Sequence, residues 1–294
     1  MNLITIAVLL TCYNRRPKTL ASLAAFFNQS LPPEIKTRVY LVDDNSTDGT
    51  AEAVRQAYPQ VKILLGNGNL FWNGGMRLAF EEALKSDYDY YLWLNDDTIL
   101  DPEALNKLLT THHNLADRGS DRALIVGATR DPETGKTTYG GMIRRSKLRA
   151  LKFDLIEPGE QPKSCDTING NCVLIPKTVA QLLGNLDPAF THYIGDFDYG
   201  LRARQQGCTV WLAPGYIGTC AGNPQPDSSQ KSQVHLNEQL KKMEQPKGLA
   251  IQQEVLYSFE EWKVFSQRHG GVLWLVYWLL PYRRLLWKSL LGKR

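Results

Sequence analysis

The sequence predicts an α/β fold: a mostly parallel, Rossmann-like sheet flanked by helices. Three observations carry this. Over the first 130 residues, apolar runs of strand length alternate with segments of helical period. The helical segments run to about 10–15 residues, the length of a crossover between parallel strands. The residues just after each apolar run are polar, small or acidic, and ligands bind such sheets beyond the carboxyl ends of their strands.

Taken in order, residues 3–10 are a continuous apolar run with no basic segment before it and a turn at Asn14-Arg15-Arg16-Pro17 after it. That reads as a buried strand and not as a signal peptide. Residues 17–29 place Leu20, Leu23, Ala24 and Phe27 on one helical face. Residues 38–42 form the second strand, and Ser46, Thr47 and Asp48 offer N-caps to a helix carrying Ala51, Val54 and Ala57. Residues 61–65 are the third strand. Residues 74–85 are a helix with Met76, Ala79, Phe80 and Ala83 inward. Residues 90–94 are the fourth strand, and Asp101-Pro102-Glu103 opens a helix with Leu105, Leu108 and Leu109 inward. Residues 123–128 are the fifth strand. Residues 131–165 lack helical period, and Gly135, Gly140, Gly141, Pro158 and Gly159 suggest hairpins. A buried strand ending at Pro176, a short helix over 177–183 and a helix from Asp196, with Phe197, Leu201 and Arg204 on one face, complete this part.

The chain has 294 residues, 43% apolar and 22% charged, which excludes global disorder and collagen-like classes. Its net charge of +4 is too slight to argue for nucleic acid as a partner. The five cysteines form no CxxC pair, which disfavours a disulfide framework or a zinc knuckle and suits a reducing, cytoplasmic compartment. The charge is unevenly placed. Residues 270–294 carry Arg283, Arg284, Lys288, Lys293 and Arg294, no acid, and three of the seven tryptophans, which leaves the rest of the chain at −1. The apolar run 272–280 would span about 14 Å as a helix, at ~1.5 Å per residue, and a bilayer needs about 20 residues. Aromatics beside Lys and Arg suit a peripheral, interfacial helix on an anionic membrane. A terminal helix docked on the domain is the alternative.

The strand ends hold the chemistry. After strand one come Thr11, Cys12, Tyr13, Asn14 and Arg15; after strand two, Asp43-Asp44-Asn45-Ser46; after strand three, Gly66 to Asn69 and then Trp72-Asn73-Gly74-Gly75; after strand four, Asn95-Asp96-Asp97. Side-by-side carboxylates repel unless a cation sits near them. A hard divalent ion shared with a nucleotide diphosphate meets that need, since Mg²⁺ and Mn²⁺ take carboxylate and phosphate oxygens. A helix N-cap cluster is the plainer reading of the same residues, as it is for Asp43 to Asp48. Gly74 and Gly75 could cradle phosphate on backbone N–H groups or be a plain turn, and Arg77 could contact a diphosphate or lie on the surface. Asp196 falls at or near a helix N-cap, a placement that suits a general base, although the helix dipole would lower its pKa. Asp198 and Arg202 lie at i and i+4 and suit an ion pair.

In order and spacing, Thr11-Cys12-Tyr13-Asn14-Arg15, Val42 to Gly49, Leu94-Asn95-Asp96-Asp97 and Gly195-Asp196-Phe197-Asp198 resemble the inverting glycosyltransferases of family 2, with the GT-A fold. The stretch Trp72 to Arg77 is similar to a rhamnosyltransferase-type branch of bacterial surface-polysaccharide synthesis. The resemblance covers residues 3–220. It implies a GT-A domain over 1–222, with a donor half of about 1–130 and an acceptor half of about 131–222, followed by a helical extension over 223–294. It implies nucleotide contacts from Thr11, Tyr13, Asn14, Arg15, Asp44, Gly74, Gly75, Arg77 and Asp96. It implies Mg²⁺ or Mn²⁺ on Asp97 and Asp96, and Asp196 as catalytic base. A downstream His completes the metal site in the wider fold, with His192 and His235 the candidates; His235 is carried forward as the ligand. Gly195 stands where a Glu often precedes the base, and Asn95 opens the metal motif in place of an acid. The expected partners are a nucleotide-sugar donor (dTDP-rhamnose or a UDP-sugar) and a glycan or lipid-linked acceptor. A non-catalytic nucleotide-sugar-binding subunit and a sugar nucleotidyltransferase are the rival classes; Thr11 to Arg15 lacks the Gly-rich basic loop of the latter.

Overall fold

The computed structural model describes residues 3–146, 150–191, 194–222 and 259–282. The chain divides into two compact units, Met1–Ala221 and Gly222–Arg294.

In the first unit the elements run β1 (Ile4–Cys12), α1 (Arg16–Phe27), β2 (Ile35–Asp43), α2 (Thr50–Ala57), β3 (Lys62–Leu65), α3 (Phe71–Ala83), β4 (Tyr90–Leu94), β5 (Ile99–Leu100), α4 (Ala104–Ala116) and β6 (Ala123–Arg130). Then come β7 (Thr137–Tyr139), β8 (Gly141–Arg144), β9 (Phe153–Leu155), β10 (Lys163–Ser164), β11 (Thr167–Ile168), β12 (Cys172–Pro176), α5 (Lys177–Leu183), α6 (Gly195–Gln205) and β13 (Thr209–Thr219). The main sheet has the order β10-β13-β6-β12-β4-β1-β2-β3, and β11-β8-β9 form a small second sheet.

β1 is parallel to β2 and β4, and β2 to β3, as helical crossovers through α1, α2 and α3 allow. The fifth strand departs from the expected alternation. β6 does not pair with β4; β12, more than forty residues later, inserts antiparallel to both. Local periodicity cannot reveal a neighbour brought in from so far along the chain.

The period of two divides the core. Ile6, Val8 and Leu10 of β1 and Leu92 of β4 pack with Leu23 and Phe26 of α1, Val54 of α2 and Leu105, Leu108 and Leu109 of α4. Ala7, Leu9 and Trp93 face the opposite layer, with Met76, Ala79 and Phe80 of α3, Val179 of α5 and Tyr199 of α6. Strands apolar on both faces belong in a sheet covered on both sides.

Two helices begin or turn differently from their sequence pattern. α1 buries Thr19, Ser22, Leu23 and Phe26, one position round from the expected apolar stripe, and leaves Leu20 and Phe27 only partly covered. α3 begins at Phe71, so Trp72, Asn73, Gly74 and Gly75 lie inside its first turns and not in a turn ahead of it.

In the second unit the described elements are α7 (Phe259–His269) and α8 (Trp274–Leu279), joined by a 3-10 turn at Gly271–Leu273. Among the described residues no helix is long and apolar enough to cross a membrane. Residues 283–294, which hold the basic cluster, lie outside the described residues, as do His192 and His235.

Candidate active site

The carboxyl ends of β1, β2, β3 and β4 form the edge on which the polar strand-end residues gather. Asn14, at φ +51°, turns the chain out of β1. Its backbone N–H donates to Ser46 Oγ (2.9 Å) and its Oδ1 accepts from Thr47 N–H (2.7 Å), which ties the first loop to the second. Asp48 ties together the starts of α1 and α2: its Oδ2 accepts from Arg16 N–H (3.0 Å) and its Oδ1 from Thr50 N–H (3.1 Å).

Asp44 is buried and fully engaged. Oδ1 accepts from Gly68 N–H (2.7 Å), and Oδ2 accepts from Leu70 N–H (2.8 Å) and Phe71 N–H (3.2 Å). Its carboxyl lies at the N-terminus of α3, whose first N–H groups lack partners within the helix. Gly66 is needed beside it, because a Cβ there would overlap Asp44 Oδ1. Gly74 and Gly75 do not form a phosphate cradle ahead of the helix. Gly74 N–H donates to Leu70 O (3.1 Å), and Gly75 lies so close to Thr11 Oγ1 that a methyl group would overlap it. Gly75 lets α3 approach β1. Arg77 is half-buried one turn on, and Tyr13 is exposed.

The acid pair follows β4. Asp96 is buried at 3% exposure. Arg15 donates from one guanidinium nitrogen to Asp96 Oδ1 (3.0 Å) and from the other to Asp97 Oδ2, and Lys18 Nζ stands 3.9 Å from Asp97. Thr19 Oγ1 donates to Asp96 Oδ2 (3.2 Å), and Ser22 Oγ to the carbonyl of Asn95 (3.2 Å). The cation that two neighbouring carboxylates require is here a guanidinium. Burial and the Asp97 charge nevertheless outweigh Arg15 and push the Asp96 carboxyl up to about 7. For Arg15, burial opposes the charged form, but the two carboxylates prevail and raise its pKa. Cys220 Sγ lies 3.5 Å from Asp97 Oδ1, and burial together with Asp97 holds it as a thiol, pushed up to about 12. Asn171 joins this wall: its Oδ1 accepts from Thr98 Oγ1 (2.8 Å), its Nδ2 donates to Cys220 Sγ (3.4 Å), and its carbonyl accepts from Asn95 N–H (2.8 Å).

Asp196 lies on a different support. It is the second residue of α6, half-buried, and follows Ile194 in the left-handed region at φ +55°. Oδ2 accepts from Gly170 N–H (2.7 Å) and Oδ1 from Phe197 N–H (2.8 Å). The expected lowering by the helix terminus does not prevail. Loss of water around the carboxylate outweighs the backbone donors and raises its pKa to about 6. Asp198 and Arg202 form the expected i, i+4 ion pair at 2.8 Å.

Trp72 connects the two acidic regions. Its Nε1–H donates to Asn95 Oδ1 (2.7 Å), and its ring lies where a Cβ on Gly170 would be. The pattern reading missed Thr19, Ser22, Lys18, Asn171 and Cys220. The polar Thr19 and Ser22 within the apolar pattern of α1 were the signal for the first two. Asn171 and Cys220 lie too far along the chain from their partners for spacing to show.

An α/β sheet with this order, an acid pair at its carboxyl edge and an acid-bearing helix across from it defines the GT-A architecture. A family model described as Glycosyl transferase family 2 matches residues 7–178, and the chain belongs to that family. It is 26% identical over 209 residues to the N-acetylglucosaminyl-diphospho-decaprenol L-rhamnosyltransferase of Mycobacterium tuberculosis, a match covering 63% of this chain and 65% of that protein. It is 33% identical over 110 residues to Protein RfbJ of Shigella flexneri, covering 35% of this chain and 76% of that one. Among solved structures, GalNAc-T7 with UDP, GalNAc and Mn²⁺ aligns at a TM-score of 0.56 and 15% identity, over 80% of this chain and 48% of that chain, a likeness of fold. The family match contains the strand-end residues through Asp97 and stops before Asp196.

Proposed function

We propose that this chain is an inverting glycosyltransferase. It moves a sugar from a nucleotide-diphosphate donor, dTDP-rhamnose or a UDP-sugar, to a hydroxyl of a glycan or lipid-linked acceptor. The observation that carries this reading is Asp196: a carboxylate held only by backbone N–H groups, with a pKa raised to about 6, linked through Gly170 and Trp72 to Asn95, the residue before the acid pair. Such a group is ionised at neutral pH and still basic enough to take a proton. Asp196 removes the acceptor hydroxyl proton as that oxygen attacks the anomeric carbon, and the nucleoside diphosphate departs.

The acid pair fits a divalent ion. Its oxygens are hard donors, Asp97 is the more open of the two, and both already draw cationic side chains. Among the described residues there is no cluster of three His, Cys, Asp or Glu donors. Asp97 and Asp96 would hold the ion, which when bound offsets the charge growing on the leaving diphosphate. Arg15, released from Asp97, would then face the diphosphate.

The acceptor reading rests on the name of the mycobacterial relative and on the second unit. Val272, Leu275, Val276, Leu279 and Leu280 are exposed, and the sequence after them is basic. That combination suits an anionic membrane surface, where a lipid-linked acceptor would be met. A panel of dTDP-, UDP- and GDP-sugars with Mn²⁺, read first as a rise in thermal midpoint and then as released nucleoside diphosphate, tests the proposal. A matching donor raises the midpoint and is turned over by the wild type but not by Asp196→Asn. An equally active Asn variant removes the base assignment.

A further inference from the structure

Across the sheet from the acid pair, the first turn of α3 meets the loop that delivers Asp196. Asn73 is fully buried. Its Nδ2 donates to the carbonyls of Asp187 (3.2 Å) and Phe190 (2.5 Å), in the loop between α5 and α6. One turn along α3, the Arg77 carbonyl accepts from Asn185 Nδ2 (2.9 Å), so the same loop is fastened to α3 at two points. From the other side, Arg202 of α6 donates to the carbonyls of Leu183 and Asn185, each at 3.2 Å. The loop is clamped between the two helices.

The remaining atom of the amide is the informative one. Asn73 Oδ1 is buried and has no hydrogen-bond partner. It lies against Gly195, so close that a Cβ at 195 would overlap it. A buried carbonyl oxygen left unpaired costs free energy, and its place in a native structure calls for an explanation. The residue before it, Trp72, occupies the space beside Gly170, whose N–H holds Asp196 Oδ2. Two glycines that flank Asp196, Gly195 in sequence and Gly170 in space, thus abut consecutive residues of α3. Ile194, β-branched and at φ +55°, needs such support, since that conformation is strained for its side chain.

We infer that Asn73 is a positioning residue for Asp196, fixing the start of α6 through Gly195 and the loop carbonyls and so aiming the carboxylate. The inference rests on the reading of Asp196 as the base. It also gives Gly195 a physical reason: with Asn73 in place, no side chain fits at 195, so an acid cannot precede the base here.

The test uses the full chain, dTDP-rhamnose as donor and an N-acetylglucosaminyl-diphospho-prenol as acceptor, with released nucleoside diphosphate as the readout. If another sugar nucleotide stabilises the protein, it replaces dTDP-rhamnose. Asn73→Ala is expected to lower kcat about 10- to 100-fold, the cost of a small misplacement of a reacting group, while donor KM stays within about twofold. Gly195→Ala in the wild-type background is expected to lower kcat similarly. In the Asn73→Ala background the same change costs about tenfold less, because the oxygen it would strike is gone. Should Asn73→Ala fold poorly, Asn73→Ser carries the same comparison. Wild-type kcat in a folded Asn73 variant, or additive losses in the double variant, overturns the assignment while Asp196→Asn remains inactive and the transferase reading stands. A wild-type protein inert toward every donor overturns that reading, and this assignment falls with it.

Discussion

The two acidic regions of the site hold their charges by opposite means. Asp96 and Asp97 are side by side, buried or nearly so, and answered by Arg15 and Lys18. Asp196 has no ion pair among its hydrogen-bonding partners and accepts only from backbone N–H groups. A side-chain cation can be exchanged for another cation, so the pair is suited to binding a charged ligand. A backbone donor cannot leave, so Asp196 keeps one orientation and its raised pKa, which is what a proton acceptor needs.

The largest expected effect breaks the Asp196 side. Asp196→Asn keeps the shape and loses the basic oxygen; transfer is expected to fall at least ~1000-fold with donor binding unchanged, as read by turnover and thermal shift in parallel. Next, Asp97→Ala removes the more open acid of the pair, and turnover is expected to fall about 100-fold or more and to lose its response to Mn²⁺ in a metal titration.

A pH profile sharpens the contrast. Asp196 must be ionised to act, so kcat, measured with donor and Mn²⁺ saturating, is expected to rise roughly tenfold per pH unit below about 6 and to level off above it. The sign for stability is the reverse. A folded-state pKa raised above the unfolded value makes the folded chain the stronger proton binder, so this contribution favours folding at low pH and is lost as pH rises through about 6.

Arg15→Ala makes the acid pair resemble Asp196 by removing its cation. Allowing for the 38% exposure of the Arg15 side chain, the loss is expected to be about 1–2 kcal/mol in denaturant unfolding, with Mn²⁺ restoring part of it. The smallest change is Thr19→Val, which removes one hydrogen bond to Asp96 and should cost about 1 kcal/mol in the same measurement.

Much of this was legible from residue order. The four leading strands, the helices between them and the gathering of Thr11, Asp44, Asp96 and Asp97 at one edge follow from local patterns, because a parallel sheet repeats one local unit. Three features were not legible. The buried face of α1 turns toward Thr19 and Ser22 because their hydroxyls donate to Asp96 and to the Asn95 carbonyl, a tertiary demand that overrides the apolar stripe. The start of α3 is set by Asp44, which caps it from another strand end. The pKa of Asp196 depends on how much water its neighbours exclude, and spacing alone does not encode that.

The antiparallel strand in the middle of the sheet also has a consequence for the order in which the chain becomes stable. β12 separates β4 from β6 and pairs with both. As the polypeptide emerges during synthesis, every strand from β1 to β6 exists before the one that joins them. Until residue 176 is made, β4 and β6 each present an open, apolar edge, the kind of surface on which nascent chains associate. A chain cut between residues 130 and 172 should therefore aggregate, even though it keeps all three of the strand ends that carry Thr11, Asp44 and Asp96.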